Sequence, residues 1–202
     1  MVVANQRLRR LIWLDHNMRN VIIISGDLAA GKSTLADNLS EKYKILSIRK
    51  DDLKELICDE VGFETREENR ALSKAAVNAM IYIFNKTAVV GDDIILEANF
   101  RTSELQTIKD MADFYHYSPL LILLYGDEGI LYKRFLERLP KRHRAHTSLY
   151  LDESLEKFKE YIHSLREQDF VFKPECIDVS NLNEKQLLDR VSLILEEKGI
   201  KK

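Results

Sequence analysis

Residues 21–34 read Val21-Ile22-Ile23-Ile24-Ser25-Gly26-Asp27-Leu28-Ala29-Ala30-Gly31-Lys32-Ser33-Thr34, and this stretch decides the architecture. Its first half is a continuous apolar, β-branched run closed by glycine, the pattern of a strand buried on both faces of a parallel sheet. From Lys32 onward Leu35, Leu39 and Tyr43 recur at helical spacing, so Gly26 to Gly31 is a short connection from strand to helix. Gly26 and Gly31 allow a tight turn that aims backbone N–H groups inward, and the helix opening near Lys32 adds the positive end of its dipole. The spacing GxxxxGK[ST] between a strand and a helix is a specific mark of a phosphate-binding loop. Lys32 is expected to reach the β- and γ-phosphates of ATP and the Ser33 hydroxyl to face Mg²⁺, with Leu28, Ala29, Ala30 and Thr34 completing the cradle. Asp27 is out of place there, because a carboxylate repels phosphate; it is expected to face solvent.

Outward from this loop, strands and helices alternate. A second strand is expected at 45–48, a short helix from 51 to about 60, and a longer helix with Leu72, Ala76, Ala79 and Ile83 on one face running to Gly91. A third strand follows at 93–97. Thr102 or Ser103 is expected to cap the next helix, which turns Leu105, Ile108 and Ala112 inward before a fourth strand at 120–125. A helix over 128–139 stops at Pro140, and 141–147 lacks apolar periodicity, so a mobile loop is expected there. A helix carrying Leu155, Phe158, Ile162 and Leu165 comes next, then a strand at 176–179. The last helix starts near Glu184 and uses Leu187, Leu188, Val191 and Leu195. This order predicts an α/β, three-layer fold with a mostly parallel five-stranded sheet, helices on both faces and a lid. Ligands of such sheets sit outside the carboxyl ends of the strands. One domain over 21–202, with a lid at about 134–150, accounts for the length, and 1–20 is expected to form an N-terminal helical extension with Leu8, Leu11 and Ile12 on the face that packs on the body or on a second subunit.

The 202 residues are 45% apolar and 32% charged, a globular composition, and the formal charge of −2 offers no global basic field for nucleic acid. Arg7, Arg9 and Arg10 before Leu11-Ile12-Trp13-Leu14 imitate a secretion signal, but Asp15 and His16 cut the apolar run short. No later stretch is long enough to span a bilayer, and a cytoplasmic protein with no membrane partner is expected. Cys58 and Cys176 lack metal-ligand or redox spacing and read as buried apolar filler. His143 and His146 lack further ligands for zinc and read as lid-surface residues.

The unusual polar residues fall at the predicted carboxyl ends of strands. After the second strand come Asp51 and Asp52: one reading is a helix cap and a first-turn acid, the other a carboxylate that accepts or orients the proton of an attacking hydroxyl, for which Asp51 is the choice. The third strand delivers Glu97, suited to hold Mg²⁺ or substrate, with Asn99 and Arg101 beside it on the acceptor side. Arg134 and Arg138 share a helix face, and Arg142 extends the spacing. They read either as a solvated face or as lid guanidinium groups that close on a transferring phosphoryl.

Taken together, GDLAAGKST (26–34), RKDDLK (49–54), ILEANF (95–100) and YKRFLER (132–138) resemble, in this order, the small P-loop kinases related to the kinase domain of phage polynucleotide kinase, to zeta toxins and to chloramphenicol phosphotransferase. The similarity covers roughly 21 to 195. It implies that Asp51 activates the acceptor hydroxyl, that Glu97-Ala98-Asn99 stands for the family's Asp-x-Asn, that Arg134 and Arg138 are its lid arginines, and that Ser180 and Asn181 lie by the adenine. Lys50 and Lys54 replace family arginines and Glu97 an aspartate, departures that bear on the acceptor more than on phosphotransfer. The implied activity is ATP- and Mg²⁺-dependent transfer of a γ-phosphoryl to a hydroxyl of a small molecule, a nucleotide or a nucleic-acid end, the last disfavoured by the net charge. A regulatory P-loop ATPase without an acceptor and a kinase-type toxin are the alternatives. Asn85-Lys86-Thr87-Ala88 lacks the aspartate that guanine reading would need.

Overall fold

Strand β1 (Asn20–Gly26) is buried from Val21 onward because it has a paired neighbour on each side. The computed structural model, which describes residues 18–146 and 154–201, sets it between β3 (Ile94–Glu97) and β4 (Ser118–Tyr125). With β2 (Leu46–Arg49) and β5 (Glu175–Asp178) at the edges, the sheet runs β2-β3-β1-β4-β5, and every pairing is parallel. The register places Ile24 opposite Glu97, Glu97 opposite Arg49, and Gly26 opposite Leu124. The phosphate loop and the polar ends of β2 and β3 therefore leave the sheet on one edge.

Side chains alternate across β1, so its isoleucines divide between two cores. Ile22 and Ile24 pack with Leu35, Ala36 and Leu39 of α1 (Lys32–Tyr43), Leu131 and Phe135 of α5 (Glu128–Arg138), Phe158 and Ile162 of α6 (Leu155–Arg166), and Leu187, Val191 and Leu195 of α7 (Glu184–Glu197). Val21 and Ile23 face α3 (Arg66–Val90) and α4 (Thr102–Tyr115). Each fully buried aliphatic side chain contributes about 1.5–3 kcal/mol of transfer free energy. That burial on both faces is what makes β1 the rigid platform for the loop that follows it.

Three local expectations are corrected. On α3 Leu72 and Ala76 are buried as expected and Ile83 packs partly buried against the core, but Met80, Phe84 and Ala88 continue the fully buried row in place of Ala79, and Phe84 stands edge-on to Tyr117 with ring centroids 5.5 Å apart. Thr102 opens α4 instead of capping it; its hydroxyl donates to Asp169 O at 2.8 Å, and the Glu104 carboxylate accepts from the Arg101 N–H. Cys58 is buried as expected, whereas Cys176 is exposed because it lies on the outward side of edge strand β5.

The segment read as a mobile loop is packed as far as it is described. Tight turns at Leu139–Lys141 and Arg144–His146 bring Ala145 into full burial. Lys54, on helix α2 (Lys50–Val61), donates through Nζ to Asn69 Oδ1 and to Ala145 O, and Asn69 Nδ2 donates to the same carbonyl at 3.0 Å. Burial, with the Lys50 charge adding to it, lowers the Lys54 amine to about 8. His143 and His146 pair with Asp59 and Glu55 of α2 at 3.0 and 2.8 Å, so His146 is an internal residue and not a lid-surface one. Sequence periodicity missed this because the segment buries only Ala145, against Cys58 and Leu72, and is otherwise held by polar hydrogen bonds. Lys54→Ala leaves Asn69 and the Ala145 carbonyl short of a buried donor and is expected to cost about 1–3 kcal/mol in urea unfolding. An unchanged unfolding midpoint would show that the segment is held by other contacts. The 147–150 part of the expected lid and 1–17 of the expected N-terminal helix lie outside the described residues. Among the described residues no helix is long and apolar enough to cross a membrane.

Candidate active site

The phosphate loop is shaped by backbone that side chains rarely tolerate. Gly26 has φ 123°, Ala29 φ 59° and Gly31 φ 86°, while Asp27 N donates to Leu124 O at 2.8 Å and anchors the turn to β4. Helix α1 then opens with no side-chain cap and no acid in its first turn among the described residues. Helices α3, α5, α6 and α7, by contrast, are capped by Thr65, Asp127, Ser154 and Asn183. The leading N–H groups of α1 are thereby left to an anion.

Lys32 is buried, and its Nζ donates back to the carbonyls of Gly26 at 3.1 Å and Asp27 at 2.5 Å. Burial lowers its pKa, against the opposing pull of Glu97, Asp51 and Asp27. The Ser33 hydroxyl donates to Glu97 Oε2 at 3.1 Å. Glu97 is itself buried, and loss of solvent, reinforced by the Asp51 charge, raises its pKa despite Lys32 and Ser33. A carboxylate and a hydroxyl at the mouth of a phosphate loop are the oxygen donors that Mg²⁺ takes alongside phosphate and water, so these residues fit the ion that the sequence implies. Asn99 Oδ1 meets no hydrogen-bond partner among the described residues although it is buried, an acceptor left over at the same place.

The two aspartates after β2 part company. Asp52 turns to Arg49, whose guanidinium also meets Asp37, each contact being 2.7 Å. That is the first-turn acid of the structural reading. Asp51 instead pairs with Lys50 Nζ at 3.0 Å and borders a cavity of about 490 Å³ that the phosphate loop, Lys32, Ser33, Glu97 and Asn99 also line. Arg138, Lys141, Arg142 and His143 close its far wall. Burial alone would raise the Asp51 carboxyl, but Lys50, His146 and Lys32 hold it down at about 2. Because the ordinary value is 3.8, the unfolded chain takes up this proton first as pH falls. The stability that the ion pairs confer is complete above 3.8 and is lost as pH falls through about 2. Urea titrations are expected to show the difference between wild type and Asp51→Asn shrinking over that window; a difference independent of pH would contradict the shift.

Three residues sit elsewhere than their sequence reading suggests. Arg134 is turned to the end of β5, donating to Val179 O and Ser180 O at 3.3 Å each, so of the paired arginines Arg138 alone borders the cavity. The four-residue spacing puts both on one helix face, but Arg134 is engaged by the carbonyls at the end of β5. Arg101 lies outside the cavity, over the Tyr161 ring at 5.9 Å. Asp27, expected in solvent, is 1% exposed: its carboxylate accepts from Arg166 Nη2 at 2.5 Å and from the Gly126 N–H at 3.1 Å. That pairing raises the Arg166 pKa against the cost of burial. Arg166 and the cavity residue Glu55 had no motif to announce them. A signal for Arg166 did exist in hindsight, since a carboxylate in a phosphate loop requires a cation.

The fold is shared with solved kinases. A candidate kinase from Chloroflexus aurantiacus j-10-fl superposes with a TM-score of 0.72 at 22% identity, over 88% of this chain and 98% of that one. A gluconokinase from Sinorhizobium meliloti 1021 gives 0.57 at 13% identity over 91% and 99%. The adenylyl-sulfate (APS) kinase CysC of Mycobacterium tuberculosis, solved with AMPPNP and APS, gives 0.59 at 12% over 90% and 99%. In sequence, a "Nucleotide-binding protein" of Pseudothermotoga lettingae is 24% identical over 172 residues, and this chain spans 53% of its length. The model of the zeta toxin family matches residues 12–192, from before β1 to within α7. A match of that extent, over a five-stranded parallel sheet with a P-loop after its central strand, means that the chain belongs to the zeta toxin family.

Proposed function

We propose that the protein is an ATP- and Mg²⁺-dependent kinase that transfers the γ-phosphoryl group to a hydroxyl of a small molecule or nucleotide. The observation that carries this reading is the placement of Asp51 in one cavity with Lys32, Ser33 and Glu97, while the adjacent Asp52 is engaged on the surface.

In this reading the loop N–H groups and the start of α1 hold the β- and γ-phosphates, and Lys32 exchanges its two carbonyl partners for phosphate oxygens. Ser33 and Glu97 would hold Mg²⁺, which would supply neutralisation of the charge on the phosphate oxygens. Arg138 borders the same space and supports the charge that builds on the transferring group. Asp51 accepts a hydrogen bond from the acceptor hydroxyl and takes its proton as the new O–P bond forms and the bond to ADP breaks. A carboxylate held at about 2 is ionised at neutral pH and free to accept this proton, which suits a loose transition state in which the proton leaves late.

A need for ATP suits a cytoplasmic protein. The formal charge of −2 disfavours a nucleic-acid end as the acceptor. The test is transfer of label from γ-labelled ATP across 5′-hydroxyl oligonucleotides, nucleotide sugars, nucleosides and antibiotics. Labelled acceptor supports the reading; hydrolysis indifferent to every acceptor replaces it with a regulatory ATPase. The family match favours, as a second reading, toxic use of the same chemistry. Growth arrest on induced expression, relieved by Asp51→Asn, would support it.

A further inference from the structure

The end of α6 and the turn that follows it are tied to the loops of the candidate active site through three residues, Arg166, Gln168 and Asp169. Arg166, at the last position of α6, donates to Asp27 in the phosphate loop, to Gly126 O at 2.7 Å and to Glu128 Oε1 at 3.2 Å. Gln168 Nε2 donates to Phe100 O at 2.9 Å, one residue beyond Asn99, and Asp169 O accepts from the Thr102 hydroxyl at 2.8 Å. Two loops that line the cavity, one after β1 and one after β3, are thus fastened to the same four residues from below. A small cavity between Ser25, Gly26, Asp27, Arg166 and Gln168 marks the seam, and Gln168 Oε1 lies buried without a partner among the described residues.

The charge arrangement gives this clamp a role beyond packing. Asp27 is a buried carboxylate in the very loop expected to receive three phosphates. Left uncompensated, it would repel them in a poorly screened setting. Arg166 cancels that charge from the side away from the cavity and leaves the loop's N–H groups facing the ligand.

We propose that Arg166 is a positioning residue for nucleotide binding: it neutralises Asp27 and fixes the phosphate loop relative to the loop after β3. Its guanidinium is engaged by Asp27, Gly126 and Glu128 and does not line the cavity of the candidate active site. The inference rests on the ATP-binding reading above and adds to it a residue which that reading does not use.

The test is a binding cycle with wild type, Arg166→Ala, Asp27→Asn and the double variant, titrated with AMP and ATP in Mg²⁺ by calorimetry, with circular dichroism and melting as a fold control. Arg166→Ala in the wild-type background is expected to weaken ATP by about tenfold or more, and AMP by less, because the repulsion grows with phosphate charge. In the Asp27→Asn background the same change is expected to weaken ATP by less than about threefold, the coupling that two interacting groups show. Arg166→Lys, which keeps the charge, is expected to recover most of the loss, and Arg166→Gln, which removes the charge but keeps hydrogen-bond donors, takes the place of Arg166→Ala should the latter not fold. Equal losses in both backgrounds, or for AMP and ATP alike, would reduce the pair to a structural tie and overturn the proposal. Wild type that binds no ATP removes the function reading and this inference together; wild type that binds ATP beside an unaffected Arg166→Ala removes this inference alone.

Discussion

Asp51→Asn is expected to lower phosphoryl transfer by about 10²–10⁴-fold, the range of a positioned general base, while the affinity for ATP changes by less than about threefold. The carboxamide fills the same space and can still hydrogen-bond, but it cannot accept a proton. Asp51 borders the cavity at the level of Lys32, Ser33 and Glu97, so the effect falls on the acceptor hydroxyl rather than on the loop that holds nucleotide. The neighbour supplies the control. Asp52 is engaged by Arg49 at the surface, and Asp52→Asn, which loses a half-exposed ion pair, is expected to leave kcat within about threefold. Steady-state transfer for the three proteins, with calorimetric ATP binding, decides the matter. Equal losses for both variants would point to the fold of the α2 start, and a fully active Asp51→Asn would remove the carboxylate from the chemistry. Because the variant also strips Lys50 of its 3.0 Å partner, a rise in acceptor KM without loss of kcat would instead read as lost substrate binding.

What sequence could and could not show follows from the kind of force at each place. β1 and the helix faces of α1, α4, α6 and α7 were legible because burial writes itself as apolar periodicity, and the P-loop was legible because its geometry admits few residues at Gly26 and Gly31. Long-range polar partners leave no such trace. Asp27 looked solvent-facing because its cation lies 139 residues away, and the 141–146 segment looked mobile because Lys54 and Asn69 hold it through one carbonyl. Arg134 and Arg138 share a helix face by their spacing, yet Arg134 meets the carbonyls of Val179 and Ser180 and Arg138 the cavity. Spacing states a direction from the helix axis; it does not state what lies there. The same limit applies to Asp51 and Asp52, adjacent in sequence and pointed to different partners by the helix that begins at Lys50.

Gly26→Ala is expected to produce the largest loss of stability of any single methyl group added to the phosphate loop. A Cβ at this position would lie 2.0 Å from Leu124 O, 2.7 Å from Leu124 N and 2.8 Å from Leu124 C. These are backbone atoms of β4, which is paired on both sides, to β1 and to β5, and has no free direction in which to retreat. The φ of 123° adds strain that an L-residue meets wherever space is available. Strained backbone costs about 1–3 kcal/mol and overpacking a similar amount, so a total of about 2–6 kcal/mol is expected. For a domain of this size that is a fall of roughly 4–24 °C in Tm. Gly31→Ala separates the two contributions: its φ of 86° carries comparable strain, but the nearest atom to an added Cβ is a Leu187 methyl at 3.9 Å. Its expected cost is therefore the backbone part alone, about 1–3 kcal/mol. Melting curves that rank Gly26→Ala well below Gly31→Ala would assign the difference to the Leu124 carbonyl. Equal melting temperatures would mean that β4 yields at its end, in which case the Asp27 N to Leu124 O bond at 2.8 Å could not be what anchors the loop. Loss of ATP binding should follow the same order, because the carbonyl that Gly26 presents to Lys32 is set by the backbone angle that alanine refuses.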